Sequence, residues 1–432
     1  MRLPTQSFRT QKLSMAGLHA GVALMALVSL HPYLLWSHQK PAYAIATLIV
    51  TTSCAGCFPA LVLTRERVLF SIGFSLFLIY LSVLPKAHGG VTRWFFLIPF
   101  TMAVLHLRRE DLQAAFDKFH WLFVLSLLPG MLLWVWIVAG LPVELRYTTP
   151  PADIIQRGAT EYLELPGAVF LFSNALVLPH GGVLFRLCGM YDEPGTVGTI
   201  AALCLAATRF RLWSVKGVIS FAAGMMSLSI AFAVLTVAGL VATAISARRP
   251  RLLPAALIVA LAGLLPLTGV TFGDRNVANL SVVVPSDVAA TLPAAPAEGS
   301  GQRFVPAPEW RLRNTPGFDS RTQPWMRKLL EDYRAAPTGA LLFGIASDAS
   351  LVHGWGSSVW YRLLTDFGIV GFLWVFALFS WPLVQLWRGG QLDVAVMIFC
   401  TLFLMSFYQR PIIWLPAQLL IYFAGLQMKH PR

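Results

Sequence analysis

The stretch VISFAAGMMSLSIAFAVLTVAGLVATAI, from Val218 to Ile245, is 28 residues of nearly continuous apolar sequence. A helix needs about 20 residues to cross the hydrocarbon layer of a bilayer, so the stretch is one overlong span or two short ones. Charge decides between them. Arg209, Arg211 and Lys216 precede it and Arg248, Arg249 and Arg251 follow it. Cations on both flanks place both ends on the cytoplasmic side, and the number of crossings between them must then be even. Two short helices meeting near Ser227-Leu228-Ser229 at the outer face satisfy that condition.

The rest of the chain reads the same way. Hydrophobic residues make up 56% of the sequence and charged residues only 12%, with a mean hydropathy of +0.66, which excludes an ordinary soluble globular protein. Further apolar runs lie at about 16–36, 43–63, 68–84, 93–107, 119–140, 196–208, 252–271, 365–387, 392–408 and 412–428. Arg2, Arg9 and Lys12 before the first run, and Arg65, Arg67, Arg108 and Arg109 between later ones, alternate as the positive-inside rule demands.

The expected fold class is therefore an all-α polytopic membrane protein of about twelve transmembrane helices with both termini cytoplasmic. Helices 1–5 fall within residues 1–140, a long outer connection within 141–195 and helices 6–9 within 196–271. A large outer loop occupies 272–364, and helices 10–12 fall within 365–432. The basic, then apolar, N-terminus lacks a small-x-small cleavage site and reads as a permanent span. The formal net charge of +13 calls for no nucleic acid, because cations at the cytoplasmic edge contact anionic headgroups.

No Walker A sequence, Gly-rich dinucleotide fingerprint or His/Glu metal motif occurs in the sequence, so no cofactor or metal is expected. Cys54 and Cys57 sit in an apolar run without a second ligand pair and read as small packing residues.

The outer segments carry the chemistry. The first ends in Arg186-Leu-Cys-Gly-Met-Tyr-Asp-Glu-Pro-Gly195. Pro194 suits a first helical turn and Asp192 and Glu193 suit the positive helix end, so capping alone accounts for them. A second reading brings Arg186 and Glu193 together at the mouth of the bundle. There the permanently charged arginine fork holds a phosphate, and Glu193 holds a sugar hydroxyl or a second arginine.

In the large loop, Val283 to Pro308 is rich in Ala, Pro, Gly and Ser and reads as a flexible connection. From Phe318 to Arg334, Trp325, Met326, Leu329, Leu330 and Tyr333 recur at helical spacing among Arg321, Arg327, Lys328 and Arg334, the pattern of an amphipathic helix at a membrane surface. These cations are snorkelling anchors or anion ligands. Arg321 stands ahead of the helix, beside Asp319 and Ser320, where exposed N–H groups favour an anion. Three Gly-containing stretches follow: Pro337 to Gly344, His353 to Arg362 and Asp366 to Gly371. His353 is a structural residue or, with its near-neutral pKa, a proton carrier. Trp355, Trp360 and Tyr361 form a sugar-stacking platform or an interfacial belt.

Together these motifs resemble the O-antigen polymerase and ligase family of bacterial cell-envelope membrane proteins. The resemblance rests on Arg186-x-x-Gly189-x-x-x-Glu193-Pro194-Gly195 at a span entrance and on the Ser-Leu-Ser turn. It continues with Arg321 followed by Trp325, with Leu341-Leu-Phe-Gly344 and with Gly368-x-x-Gly371. Where ligases of the family commonly carry a His-Asn pair ahead of these last glycines, Ser357-Ser358 stands, with His353 four residues earlier. That favours the polymerase branch. Ile230 and Ala231 replace the arginine usual after the Ser-Leu-Ser turn.

The resemblance implies a metal-independent glycosyltransferase of the C type at the periplasmic face of the bacterial inner membrane. It would move a growing glycan from undecaprenyl diphosphate to the non-reducing end of a new lipid-linked repeat unit. Arg186 and Arg321 would stabilise the departing diphosphate, and Glu193 or His353 would serve the acceptor hydroxyl. Asp192, Tyr191, Trp325, Arg327, Trp355, Tyr361, Arg362 and Arg410 would line the substrate. Implied partners are undecaprenyl-diphosphate-linked glycans, membrane lipids, and a chain-length regulator and flippase of the same pathway. The alternatives are a ligase that passes finished glycan to a lipid or protein acceptor, and a non-enzymatic lipid-linked sugar flippase. A flippase would carry internal repeats and mid-span charges.

Shortening Leu292 to Gly301 should leave the glycan ladder of the producing strain unchanged. A collapse of chain length would show that this stretch is ordered and used.

Overall fold

A computed structural model describes residues 8–84, 94–139, 141, 143–148, 162–171, 176–177, 183–264, 271–272, 280–283, 331–345, 359–407 and 414–427. The helices are α1 (Phe8–Val28), α2 (Gln39–Cys57), α3 (Arg65–Val83), α4 (Ile98–His106), α5 (Arg109–Val138), α6 (Pro194–Ala207) and α7 (Val215–Met226). They continue as α8 (Ile230–Ser246), α9 (Leu253–Leu264), α10 (Thr338–Phe343), α11 (Val359–Arg388), α12 (Val394–Ser406) and α13 (Pro416–Gln427).

Most are apolar on every face, as hydrocarbon requires, since only self-satisfied backbones are stable there. Among the described residues, five stretches are long and apolar enough to cross a membrane: Gln11–Val28, Tyr33–Ala60, Arg65–Val83, Arg109–Val138 and Leu363–Arg388. Shorter apolar helices of 10–17 residues pack among them. Leu132, Val83, Ile245 and Trp387 are exposed on the outside of the bundle, where lipid rather than water would cover them. The protein is thus a mainly helical membrane protein.

The Val218 to Ile245 stretch is broken into two helices, as expected. α7 stops at Met226, Leu228 adopts a left-handed φ of 46°, and α8 starts at Ile230. Side chains of Thr64, Ser214 and Asp393 accept the N–H groups of Arg67, Gly217 and Val396 and so start α3, α7 and α12. The centre of the bundle is α6, whose 14 residues are all buried. Its contacts with α7, α8, α12 and α13 explain why a helix only about 21 Å long needs no lipid-facing surface.

The fold is mostly helical, as expected, and among the described residues two small sheets accompany the helices. β1 (Val143–Thr148), β2 (Tyr162–Leu165), β3 (Ala168–Leu171) and β7 (Leu280–Val283) form one, in the order β3-β2-β1-β7. β4 (Leu176–Val177), β5 (Val183–Leu184) and β6 (Thr271–Phe272) form the other, in the order β5-β4-β6. β1 alternates apolar and polar residues, the period-2 pattern of a half-covered strand. Its parallel pairing with β7, and the antiparallel pairing of β4 with β6, tie the first outer connection to the start of the large loop. Strands from the two connections thus pair with each other in both sheets.

The return to the bundle carries an apolar span at Leu363–Arg388, close to the run expected at about 365–387. α11 begins at Val359, a few residues ahead of that span, and kinks at Gly368, where φ is 66° and ψ is −175°. α10 docks across that kink. A methyl group on Gly368 would lie 2.3 Å from the Leu342 carbonyl oxygen, and one on Gly344 would lie 2.2 Å from that of Asp366. Tyr80 of α3 closes the junction, its hydroxyl donating to the carbonyls of Phe367 (2.8 Å) and Phe343 (3.2 Å). The Leu341-to-Gly344 and Gly368-x-x-Gly371 motifs are therefore in contact, and Tyr80 is the residue that sequence reading missed.

Gly368→Ala should destabilise the protein by about 3 kcal/mol, since the backbone conformation is nearly glycine-only and the added methyl meets main chain. Thermal melting in detergent checks this. A melting temperature equal to that of the unsubstituted protein would refute the close crossing.

Candidate functional site

The motif from Arg186 to Glu193 is held from four sides. Leu187 N–H donates to the Met226 carbonyl at the end of α7 (3.0 Å), and Tyr33 N–H donates to the Met190 carbonyl (2.7 Å). Val169 N–H of β3 donates to the Gly189 carbonyl (2.7 Å). On the fourth side α5 presses close: a methyl on its Gly130 would lie 2.7 Å from Gly189 Cα. Gly189 itself has a φ of 60°, so the motif's glycine is demanded both by backbone conformation and by space.

Within this frame Arg186 donates Nε–H to the Ser227 carbonyl at 3.1 Å. That bond fixes the guanidinium plane against the α7–α8 turn. Among the described residues no carboxylate pairs with Arg186, so it does not form an ion pair with Glu193. Burial pushes its pKa down to about 10, which still leaves it cationic at neutral pH. An arginine oriented by a carbonyl and not neutralised by a neighbouring acid is chemically disposed to take an anion.

Glu193 occupies the N-cap position of α6 but makes no cap hydrogen bond, and it is only 8% exposed. Capping therefore does not account for its side chain. Asp192 has the more structural contacts. Its carboxylate accepts from Thr196 Oγ1 at 2.8 Å, and its carbonyl accepts from Tyr162 Oη at 2.8 Å. Tyr191 is buried, its hydroxyl is bonded to Ser126 Oγ at 2.6 Å, and its ring packs on Phe123. Burial raises the Tyr191 pKa, keeping the phenol neutral in this position.

Arg186 is bonded to the Ser-Leu-Ser turn, and Glu193 begins the helix that packs against that turn. Gly198 of α6 meets Ser227 and Ser229, the residue that anchors Arg186 and its neighbour in the turn. Gly198 is five residues beyond Glu193, about 7.5 Å along the helix. The α6 entrance, the Ser-Leu-Ser turn and the outer sheet thus share one end of the bundle. Arg321, His353, Trp325, Arg327, Trp355 and Arg410 lie outside the described residues. Tyr361 and Arg362 belong to the first turn of α11. Of the amphipathic helix expected at Phe318 to Arg334, residues 331–334 fall in a described helical stretch, where Tyr333 is buried and donates to the Leu341 carbonyl (2.6 Å).

Sequence reading also missed buried polar groups. Thr199 Oγ1 of α6, Gln418 Oε1 of α13 and Trp414 Nε1 have no hydrogen-bond partner among the described residues. Trp414 sits among Phe77, Trp94 and Phe367 at ring distances of 5.7, 5.8 and 5.3 Å. Only three-dimensional packing identifies such groups, because Thr, Gln and Trp on an apolar helix carry no motif.

No family model matches the chain, and no curated protein or solved structure is similar to it.

Tyr162→Phe removes one buried donor to the Asp192 carbonyl and should cost about 1 kcal/mol, read as a lowered melting temperature. No change would mean that this bond does not support the motif.

Proposed function

We propose that the protein is a metal-independent glycosyltransferase that polymerises undecaprenyl-diphosphate-linked oligosaccharide repeat units into O-antigen, capsule or exopolysaccharide. On this reading the chain crosses the bacterial inner membrane about twelve times, and the end carrying Arg186 and Glu193 faces the periplasm. The observation that supports it most is Arg186, anchored on the Ser227 carbonyl without a carboxylate partner among the described residues. It stands at the entrance of a buried helix whose first acid, Glu193, makes no cap bond.

The chemistry asked of these groups is simple. The bond between the sugar's anomeric carbon and the lipid diphosphate breaks, and the bond from the acceptor hydroxyl oxygen to that carbon forms. The hydroxyl proton passes to the Glu193 carboxylate, and the diphosphate leaves as an anion. A fixed cation at low dielectric stabilises that anion more than water does, because it needs no reorganisation during the reaction. Arg186 takes that role, with Arg321 as the second cation implied by the family resemblance.

Arg186→Ala should lower chain extension by about 10²–10³ while the protein remains in the membrane, and Arg186→Lys should retain part of the activity. Glu193→Gln should also stop extension. The glycan ladder reads the result: a single repeat that stays attached to its acceptor fits a lost polymerase. Loss of all attached glycan would instead point to the ligase or flippase. Long chains in both the Arg186→Ala and Glu193→Gln strains would defeat the assignment.

A further inference from the structure

The opposite end of the bundle holds a cavity of about 240 Å³ between the ends of α6, α8 and α12. Arg209, Arg249, Asp393, Thr243 and Ser246 line its polar part. Phe210, Val394 and Ile398 supply apolar wall. Two guanidinium groups against one carboxylate leave a formal charge of +1.

This charge is built in by unusual backbone. Arg209 and Phe210 follow α6 with φ of 57° and 52°, and Arg248 follows α8 with φ of 51°. None is glycine, so each position carries conformational strain that packing must hold in place. The ring of Phe210 fills the space over Gly239, where a methyl would come within 2.1 Å of it. Arg209 reaches two other helices, donating Nη1–H to the Ala395 carbonyl (2.7 Å) and Nη2–H to the Gly425 carbonyl (3.2 Å). Arg249 is half-buried and Asp393 is exposed, with its carboxylate accepting from Val396 N–H.

The surroundings say what kind of anion fits. Ile245 and Val394 flank the cavity and are 73% and 57% exposed, and Met397, one turn along α12, is 54% exposed. The outer surface beside the charged mouth is therefore apolar. A ligand that satisfies both parts carries a phosphate on a hydrocarbon tail. We propose that this cavity binds the phosphate of an anionic membrane lipid, with Arg249 as the main contact, Arg209 as a second cation and the tail lying along α8 and α12. A free phosphate offers the same anion but nothing for the apolar flank. The proposal is independent of the glycosyltransferase reading, because it concerns the other end of the molecule.

Native mass spectrometry of the full chain, purified in neutral detergent, tests it. Dioleoyl phosphatidylglycerol, dioleoyl phosphatidylcholine and inorganic phosphate serve as probes. One phosphatidylglycerol per chain should be retained about tenfold more tightly than phosphatidylcholine, and millimolar inorganic phosphate should not displace it. Arg249→Gln should weaken retention about tenfold. Asp393→Asn, which keeps a side-chain cap for α12, should tighten it severalfold, and that gain excludes misfolding as the cause. Equal retention of the two lipids, or no change in either variant, would overturn the site. Displacement by inorganic phosphate would overturn the lipid assignment in favour of a soluble anion.

Discussion

At Gly198 the buried helix α6 lies against the α7–α8 turn so closely that a methyl group there would sit 2.5 Å from Ser229 Cβ and 2.9 Å from both serine hydroxyl oxygens. The candidate site depends on that contact. It brings the Ser227 carbonyl, which orients Arg186, alongside the helix that begins at Glu193. It also explains a 14-residue helix in a membrane protein, since α6 is surrounded by helices and needs to match their core rather than the full thickness of a bilayer. A larger residue at 198 would separate the turn from the helix, and the arginine would move with the turn.

A second close crossing does equivalent work for the large outer loop. Gly344 and Gly368 meet backbone to backbone, and the Tyr80 hydroxyl bonds carbonyls from both partners. The chain returning from the loop is thus fixed to α3, while β1–β7 and β4–β6 fix the outgoing part to the first connection. Both ends of the loop are therefore held at the same end of the bundle as the Arg186 motif. In the glycosyltransferase reading, this is how cations distant in sequence would be made to act on one diphosphate.

The parts of this fold that were legible in the sequence are those governed by local composition or charge. Apolar runs gave the helices, and the cations at Arg209 to Lys216 and Arg248 to Arg251 required the break that falls at Ser227 to Ser229. Gly368 was legible as a place of close approach, but its partner Gly344 and the bracing Tyr80 were not, because nothing local encodes which distant backbone comes near. The sheets were missed for the same reason. β4, β5 and β6 are two residues each, too short for periodicity, and β1 pairs with a strand more than a hundred residues away. In the site, Arg186 and Glu193 announced themselves as charges beside a span. Their supports Ser126, Tyr162 and Tyr33 did not, since a neutral polar residue in an apolar stretch is common and only its hydrogen bond gives it meaning.

The two ends of the bundle treat arginine differently, and the difference is physical. Arg209 spends two guanidinium nitrogens on the carbonyls of Ala395 and Gly425, so it joins α12 and α13 to the end of α6 and its removal would loosen three helices. Arg186 spends only Nε on a carbonyl, which sets its direction without consuming the fork. Burial disfavours charge in both cases. At Arg209 the cost is offset by helix-end carbonyls and the nearby Asp393. At Arg186 the described residues supply one carbonyl and no acid. Arg186 is only half-buried, so solvent shares in meeting its charge, and in the glycosyltransferase reading the two guanidinium nitrogens not bonded to Ser227 would serve the diphosphate.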